Sequence, residues 1–257
     1  MNWARWPMLV GASVAAGLLI FVAVAGYYHL RYYVLGRARA AEWKCQPRRF
    51  LRPKLQRQAA LLSVSSLTIG GVVTGSLLFA MESGLETPIY TDPEEYGWVW
   101  TIGGTAVLFV LVDGLAYYTH RFFHTRFMYR RFHRWHHRYV ATTPWVVVAV
   151  HPVEFLALQL ATFLPFLVIP FHVGSIVAVF VYILVFNIID HSGVDLRSRL
   201  PWQAPSRFHD DHHVHVHVNF GQHLALWDRM HGTLRRDDRR YGADVFGGKG
   251  LPAQSRE

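Results

Sequence analysis

The chain has 257 residues, of which 52% are hydrophobic and 15% aromatic, and carries a formal charge of +9. The apolar residues fall in blocks of roughly 20, the length that crosses a bilayer, which excludes an ordinary soluble domain. One cysteine, Cys45, excludes a disulfide framework and a multi-thiolate metal site. The arginines lie between apolar blocks, as in membrane-protein loops, so the charge does not indicate nucleic acid.

Five apolar segments are predicted in chain order: 8–28, 59–81, 98–118, 144–169 and 171–189. The first has Arg5 before it and a cleavage-like Ala23-Val24-Ala25. Its apolar core is nevertheless longer than the roughly 7–15 residues of a signal peptide, so a retained helix is expected. Tyr27, Tyr28, Tyr32 and Tyr33 then read as an interfacial belt. Residues 31–57 carry nine Lys/Arg, whereas 82–97 carry none and are acidic. The positive-inside rule makes the first loop cytoplasmic and the second external. The last two segments form a hairpin turning near Pro165 and Pro170, which puts every histidine cluster on the cytoplasmic side. The expected fold is all-α: an integral-membrane bundle of four to five transmembrane helices with a cytosolic, histidine-rich cap. Residues 1–119 hold the N-terminal helices and basic loop, 120–235 the histidine-rich region with the hairpin, and 236–257 a flexible tail. High Arg and low Lys usage suggests a bacterial inner membrane, or the endoplasmic reticulum if the source is eukaryotic.

The 16 histidines are the anomaly, because they cluster and form no terminal tag. His120 and His124 form an HxxxH, one turn apart on one helix face. His133, His136 and His137 form an HxxHH, whose spacing offers three nitrogens from one turn. His191 closes the last apolar segment. His209, His212 and His213 repeat the HxxHH. These nine histidines exceed what one ion needs and suit two; imidazole suits iron, zinc and copper, and open positions for oxygen favour iron. Residues 126–139 alone would also read as a basic-aromatic helix on a lipid surface, but two HxxHH repeats beside an HxxxH decide for metal. Asp113, Tyr117, His120 and His124 share a helix stripe, so Asp113 is a candidate to orient a ligand histidine. His151 and Glu154, one turn apart, are candidates for a supporting or pocket role. Beyond the last HxxHH, His215 and His217 alternate with valines and read as supporting or surface groups, His215 being kept as a possible ligand. His29 and His172 read as interfacial.

In this order the histidine motifs resemble the fatty acid hydroxylase/sterol desaturase superfamily over residues 113–235. His151-Pro152-Val153-Glu154, Asp190-His191-Ser192-Gly193, Asn219-Phe220-Gly221 and Trp227-Asp228-Arg229-Met230-His231-Gly232-Thr233 are similar to further elements of it. The Asp-His-Ser-Gly and Gly-Thr-Leu-Arg pieces resemble most the sterol C4-methyl oxidase and cholesterol 25-hydroxylase branch. The resemblance implies two iron ions (zinc can replace them on purification), dioxygen, two external electrons and a lipid or sterol-like substrate hydroxylated at an unactivated C–H bond. Asn187 stands where some members carry a histidine, which leaves Asn187 and Asp190 as possible ligands or supporting groups. No haem-, flavin- or cytochrome-like segment is present, so a separate donor of ferredoxin or cytochrome b5 type is expected at the Arg-rich face. A desaturase on the same scaffold is the alternative. A membrane zinc hydrolase would need the HExxH glutamate, which neither HxxHH supplies, and a non-enzymatic metal-binding transporter would place its ligands near the membrane midplane.

Overall fold

A computed structural model describes residues 2–253. The elements run α1 (Arg5–Tyr28), continued by a π turn (His29–Val34), α2 (Ala40–Trp43), α3 (Pro53–Glu82) and α4 (Gly97–Phe123). Short turns follow: α5 (Arg126–Met128), a π turn (Tyr129–His133) and α6 (Arg134–His137). Then come α7 (Pro152–Val168), α8 (Val173–Asp190), α9 (Ser206–His215), α10 (Leu226–His231) and two short strands, β1 (Arg239–Arg240) and β2 (Leu251–Pro252).

Four spans are long and apolar enough to cross a membrane: Arg5–Val34, Pro53–Glu82, Gly97–Phe123 and Val173–Asp190. The fourth predicted segment is shorter than expected. Residues 144–151 form a 3-10 turn and a loop, and α7 starts only at Pro152. Proline is preorganised for the first helical position, and the His151 side chain caps the helix by accepting from the Val153 N–H at 3.2 Å. The hairpin turns at Pro170 as expected, while Pro165 lies inside α7.

α1 is a packed helix of the bundle. It lies against Gly71 and Gly75 of α3, a small-x-x-x-small stripe that lets two backbones touch. A methyl group on Gly71 would sit 2.6 Å from Val14 Cα, and one on Gly75 would run into the Val10 backbone. Leu108, Val112, Phe163, Phe166, Phe171 and Val179 join α4, α7 and α8 in one core. Phe21, Ala25, Val147 and Ile188 join α1 and α8 in another. Leu19, Val99, Ile102, Leu160 and Val177 point outward and are exposed. Such faces are stable against lipid, not water; the chain is a multi-pass membrane protein.

The two ends of the bundle differ. At one, Arg5 pairs with Glu82 at 2.6 Å, and Tyr90 bridges to His172. At the other, the basic segment is stitched to the histidine-bearing segments. Cys45 N–H donates to Gly193 O at 3.0 Å, and Gln46 Nε2 donates to Val140 O at 2.8 Å and to Asp210 Oδ1 at 3.1 Å. The expected tyrosine belt is incomplete, because Tyr33 is buried with its hydroxyl 2.9 Å from Thr142 O and 2.7 Å from Ser192 O. Gly193 closes this junction with φ +70, where a Cβ would lie 2.5 Å from Thr142 O. The segment expected to be a flexible tail folds back: β1 pairs antiparallel with β2, Val245 is buried, and the Phe246 ring lies 4.1 Å from that of His217. Residues 254–257 of that expectation lie outside the described residues.

Candidate metal centre

Nine histidines converge at the end of the bundle that carries the basic segment, none more than 5% exposed. They form two groups whose candidate donor atoms lie within 4.8 Å of one another: His120, His124, His133, His137 and His212 in one, His136, His191, His209 and His213 in the other. The structure thus brings together every histidine of the four predicted elements. It divides each HxxHH instead of directing three nitrogens to one place. His133 and His137 enter the five-histidine group while His136 enters the other; His209 and His213 enter the four-histidine group while His212 crosses over.

Hydrogen bonds on the outer ring nitrogens set the tautomers. Nδ1 of His120 donates to Phe220 O at 2.7 Å, that of His191 to Asn187 O at 2.8 Å, and that of His212 to Val218 O at 2.7 Å. His133 Nδ1 donates to Glu154 Oε1. Each of these rings therefore turns an Nε2 lone pair inward. The Nε2 atoms of His120 and His133 are 3.2 Å apart, those of His133 and His137 3.0 Å, and those of His191 and His209 2.9 Å. Two bare nitrogens at that distance repel, so the His120–His133 approach is not a hydrogen bond. The spacing equals an edge of a coordination shell with metal–nitrogen bonds of about 2.1 Å. His212 Nε2 is likewise buried without a protein partner. Burial, and then the neighbouring histidines, push His124, His136, His137, His209, His212 and His213 well below the usual imidazole range, and burial brings His191 down to about 4. These imidazoles are neutral, the form that binds metal. The donor set fits two cations of the kind imidazole favours.

Of the candidate supporting residues, Glu154 lies against the site, 1% exposed, with one oxygen on His133 and the other unpartnered. Asp113 bonds none of the nine clustered histidines. Its oxygens accept from the N–H groups of His223 (3.0 Å) and Leu224 (3.3 Å) and from Trp227 Nε1 (2.8 Å), tying residues 223–227 to α4. His151 caps α7 and packs on Phe132 and Trp135. Asp190 accepts from Gln203 Nε2 at 3.0 Å and joins neither histidine group. His215 lies outside both groups and packs on Tyr241. Asn187 supplies its carbonyl to His191, and its side-chain oxygen is buried and unpartnered. His29 stacks on Tyr33, and His172 caps α8.

Two further histidines lie near the site: His217, which reads from the sequence as a supporting or surface group, and His223, to which the sequence gives no role. His217 is fully buried. Its Nε2 donates to Ala243 O at 3.2 Å, so its Nδ1 accepts from His124 Nδ1 at 3.0 Å. That relay turns His124 Nε2 inward. The chain reaches this geometry through Val216 (φ 69, ψ −74), the centre of a γ turn in which His217 N–H donates to His215 O at 3.0 Å. This turn is rare and strained for a β-branched residue. The other residue is His223, buried on the wall of an apolar cavity of about 360 Å³. The cavity runs from His120, His136 and His191 between α1, α3, α7 and α8, past Leu67, Phe163 and Leu184.

A membrane-embedded helical bundle with buried histidine groups at one end and an apolar cavity leading to them defines a class of lipid-facing metalloprotein. Residues 105–233 match the fatty acid hydroxylase family model. Lathosterol oxidase of Mus musculus is 30% identical over 90% of this chain and 79% of its own length. The human lathosterol oxidase is 27% identical over the same shares. A Delta(7)-sterol 5(6)-desaturase of Candida glabrata is 27% identical over 74% of this chain and 53% of its own length. No solved structure matches the chain. The chain belongs to the fatty acid hydroxylase family and is an oxidoreductase, which sets aside the hydrolase and transporter readings. These relatives lie in the sterol desaturase branch, whereas the short motif pieces resemble the C4-methyl oxidase and 25-hydroxylase branch.

Proposed function

We propose that the chain oxidises a C–H bond of a sterol-type lipid with dioxygen at a di-iron centre held by the nine clustered histidines. The observation that carries this reading is the pairing of two buried histidine groups with an apolar cavity open to both. His120, His124, His133, His137 and His212 would hold one iron, and His136, His191, His209 and His213 the other. Bound iron supplies activation of dioxygen and removal of hydrogen from an unactivated C–H bond, drawing two electrons from a separate donor. The chain's own residues bind, orient and exclude water. Phe163, Leu184 and Val112 receive the apolar body of the substrate. Neutral imidazoles leave the charge of the metals largely uncompensated, and Glu154 offsets part of it through His133.

The relatives named for 5(6)-desaturation favour removal of a second hydrogen over retention of a hydroxyl group. The nine basic residues of segment 31–57, packed against the histidine-bearing loops, favour a cytoplasmic site and an acidic electron donor of ferredoxin or cytochrome b5 type. Iron-loaded protein in vesicles, given a Δ7-sterol, oxygen and a reducing system, tests the reading. The expected product is lighter by two hydrogens; a gain of one oxygen would assign hydroxylation instead. No oxygen-dependent product from that sterol or from cell lipids would overturn the proposal.

A further inference from the structure

The cavity wall beside the histidine groups carries an acceptor that no protein group satisfies. Gln203 Nε2 faces the Asp190 carboxylate at 3.0 Å and Ala204 O at 3.4 Å, which fixes the amide so that its oxygen faces the other way. That oxygen accepts from Tyr182 OH at 2.8 Å and from His223 Nδ1 at 3.1 Å. With Nδ1 carrying the proton, His223 Nε2 is a bare lone pair, and it is buried without a partner. Burial holds this ring neutral, bringing it down to about 3. The residue is held in place, because its N–H donates to Asp113 and its carbonyl accepts from Ala204 N–H at 3.0 Å. It shares one cavity with His120, His136 and His191. A buried acceptor left unpaired is costly, and a ligand that supplies a donor relieves the cost.

We propose that His223 Nε2 accepts a hydrogen bond from the hydroxyl group of a sterol-type substrate, placing the adjacent rings at the histidine groups. This rests on the sterol-type reading above. In a sterol, the hydroxyl-bearing carbon is separated from C5 by a single ring atom. A hydroxyl held next to the centre therefore brings the C5–C6 bond to it, while the remaining rings and side chain fill the apolar cavity toward Phe163 and Leu67. His223 is thus a specificity-determining residue that touches substrate; it holds no metal.

The test is equilibrium binding, read independently of turnover. Cholestanol and its 3-O-methyl ether compete against a radiolabelled sterol on the metal-loaded protein in nanodiscs. The natural protein is expected to prefer the alcohol by roughly 5- to 10-fold, the range of one neutral hydrogen bond. His223→Asn keeps a donor toward Gln203 but has no acceptor reaching the cavity, and it should bind alcohol and ether alike. His223→Gln returns an acceptor near the Nε2 position and should restore most of the preference. Metal content equal to that of the natural protein certifies each variant. Equal binding of alcohol and ether by the natural protein, no saturable sterol binding, or a preference retained in His223→Asn would each overturn the proposal. A preference for the alcohol without any oxidised product would leave the hydroxyl site standing and refute the proposed reaction; oxidation without the preference would do the reverse.

Discussion

Glu154→Gln isolates what a single buried charge does for the five-histidine group. The side chain is 1% exposed, and one oxygen accepts a hydrogen bond from His133 Nδ1. Glutamine keeps the volume and one acceptor but removes the charge, and its amide nitrogen could turn toward Nδ1 and reverse the His133 tautomer. An ion on His133 Nε2 would sit roughly 6 Å from the carboxylate, across the ring. A divalent ion and a carboxylate at that distance attract by about 5 kcal/mol at an effective dielectric of 20, a ceiling because the amide dipole retains part of it. Loss of a group that orients a ligand histidine weakens metal binding roughly 10–100-fold, equivalent to about 1.4–2.8 kcal/mol. Metal content after dialysis against graded chelator should show one ion leaving Glu154→Gln at correspondingly lower chelator, with the ion of the four-histidine group leaving later. A chelator curve superimposable on that of the natural protein would refute the idea that Glu154 tunes His133.

His136→Ala and His212→Ala should each abolish turnover but strip different ions, because His136 belongs to the four-histidine group and His212 to the five. Metal-selective spectroscopy of the two variants showing the same residual site would contradict that division. The metal-stripped protein should lose stability as pH falls. Burial lowers His191 and His217 to about 4 in the folded state and holds His124 and His212 well below the usual imidazole range. The unfolded chain binds protons near 6.5 and so takes up more of them below that pH. The loss therefore begins near pH 6.5, by up to about 1.4 kcal/mol per pH unit for each histidine; the share of His191 and His217 is complete near pH 4, and that of the more strongly lowered rings continues below it. An unfolding midpoint in detergent unchanged between pH 7.5 and pH 5 would argue against buried neutral rings.

The sequence alone determined the bundle and the inventory of clustered histidines, because both rest on local rules. Apolar blocks of bilayer length become helices whatever surrounds them, and histidines one turn apart share a face. The division of each HxxHH also has a helical origin. At about 100° per residue, positions i and i+4 lie about 40° apart, whereas i+3 falls about 60° to the other side of i. His136 and His212 therefore diverge from their neighbours, but which group each joins depends on the facing element. Only the tertiary structure decided the surroundings. Asp113 lies on the same helix stripe as His120, yet its three donors come from residues 223–227, more than a hundred residues along the chain. His215 and His217 look equivalent between valines, and the γ turn at Val216 buries one against His124 and leaves the other on Tyr241. The segment expected to be a free tail supplies Ala243 O to that relay. Contacts of this kind join residues far apart in sequence, and no spacing encodes them, because they exist only once the helices have packed.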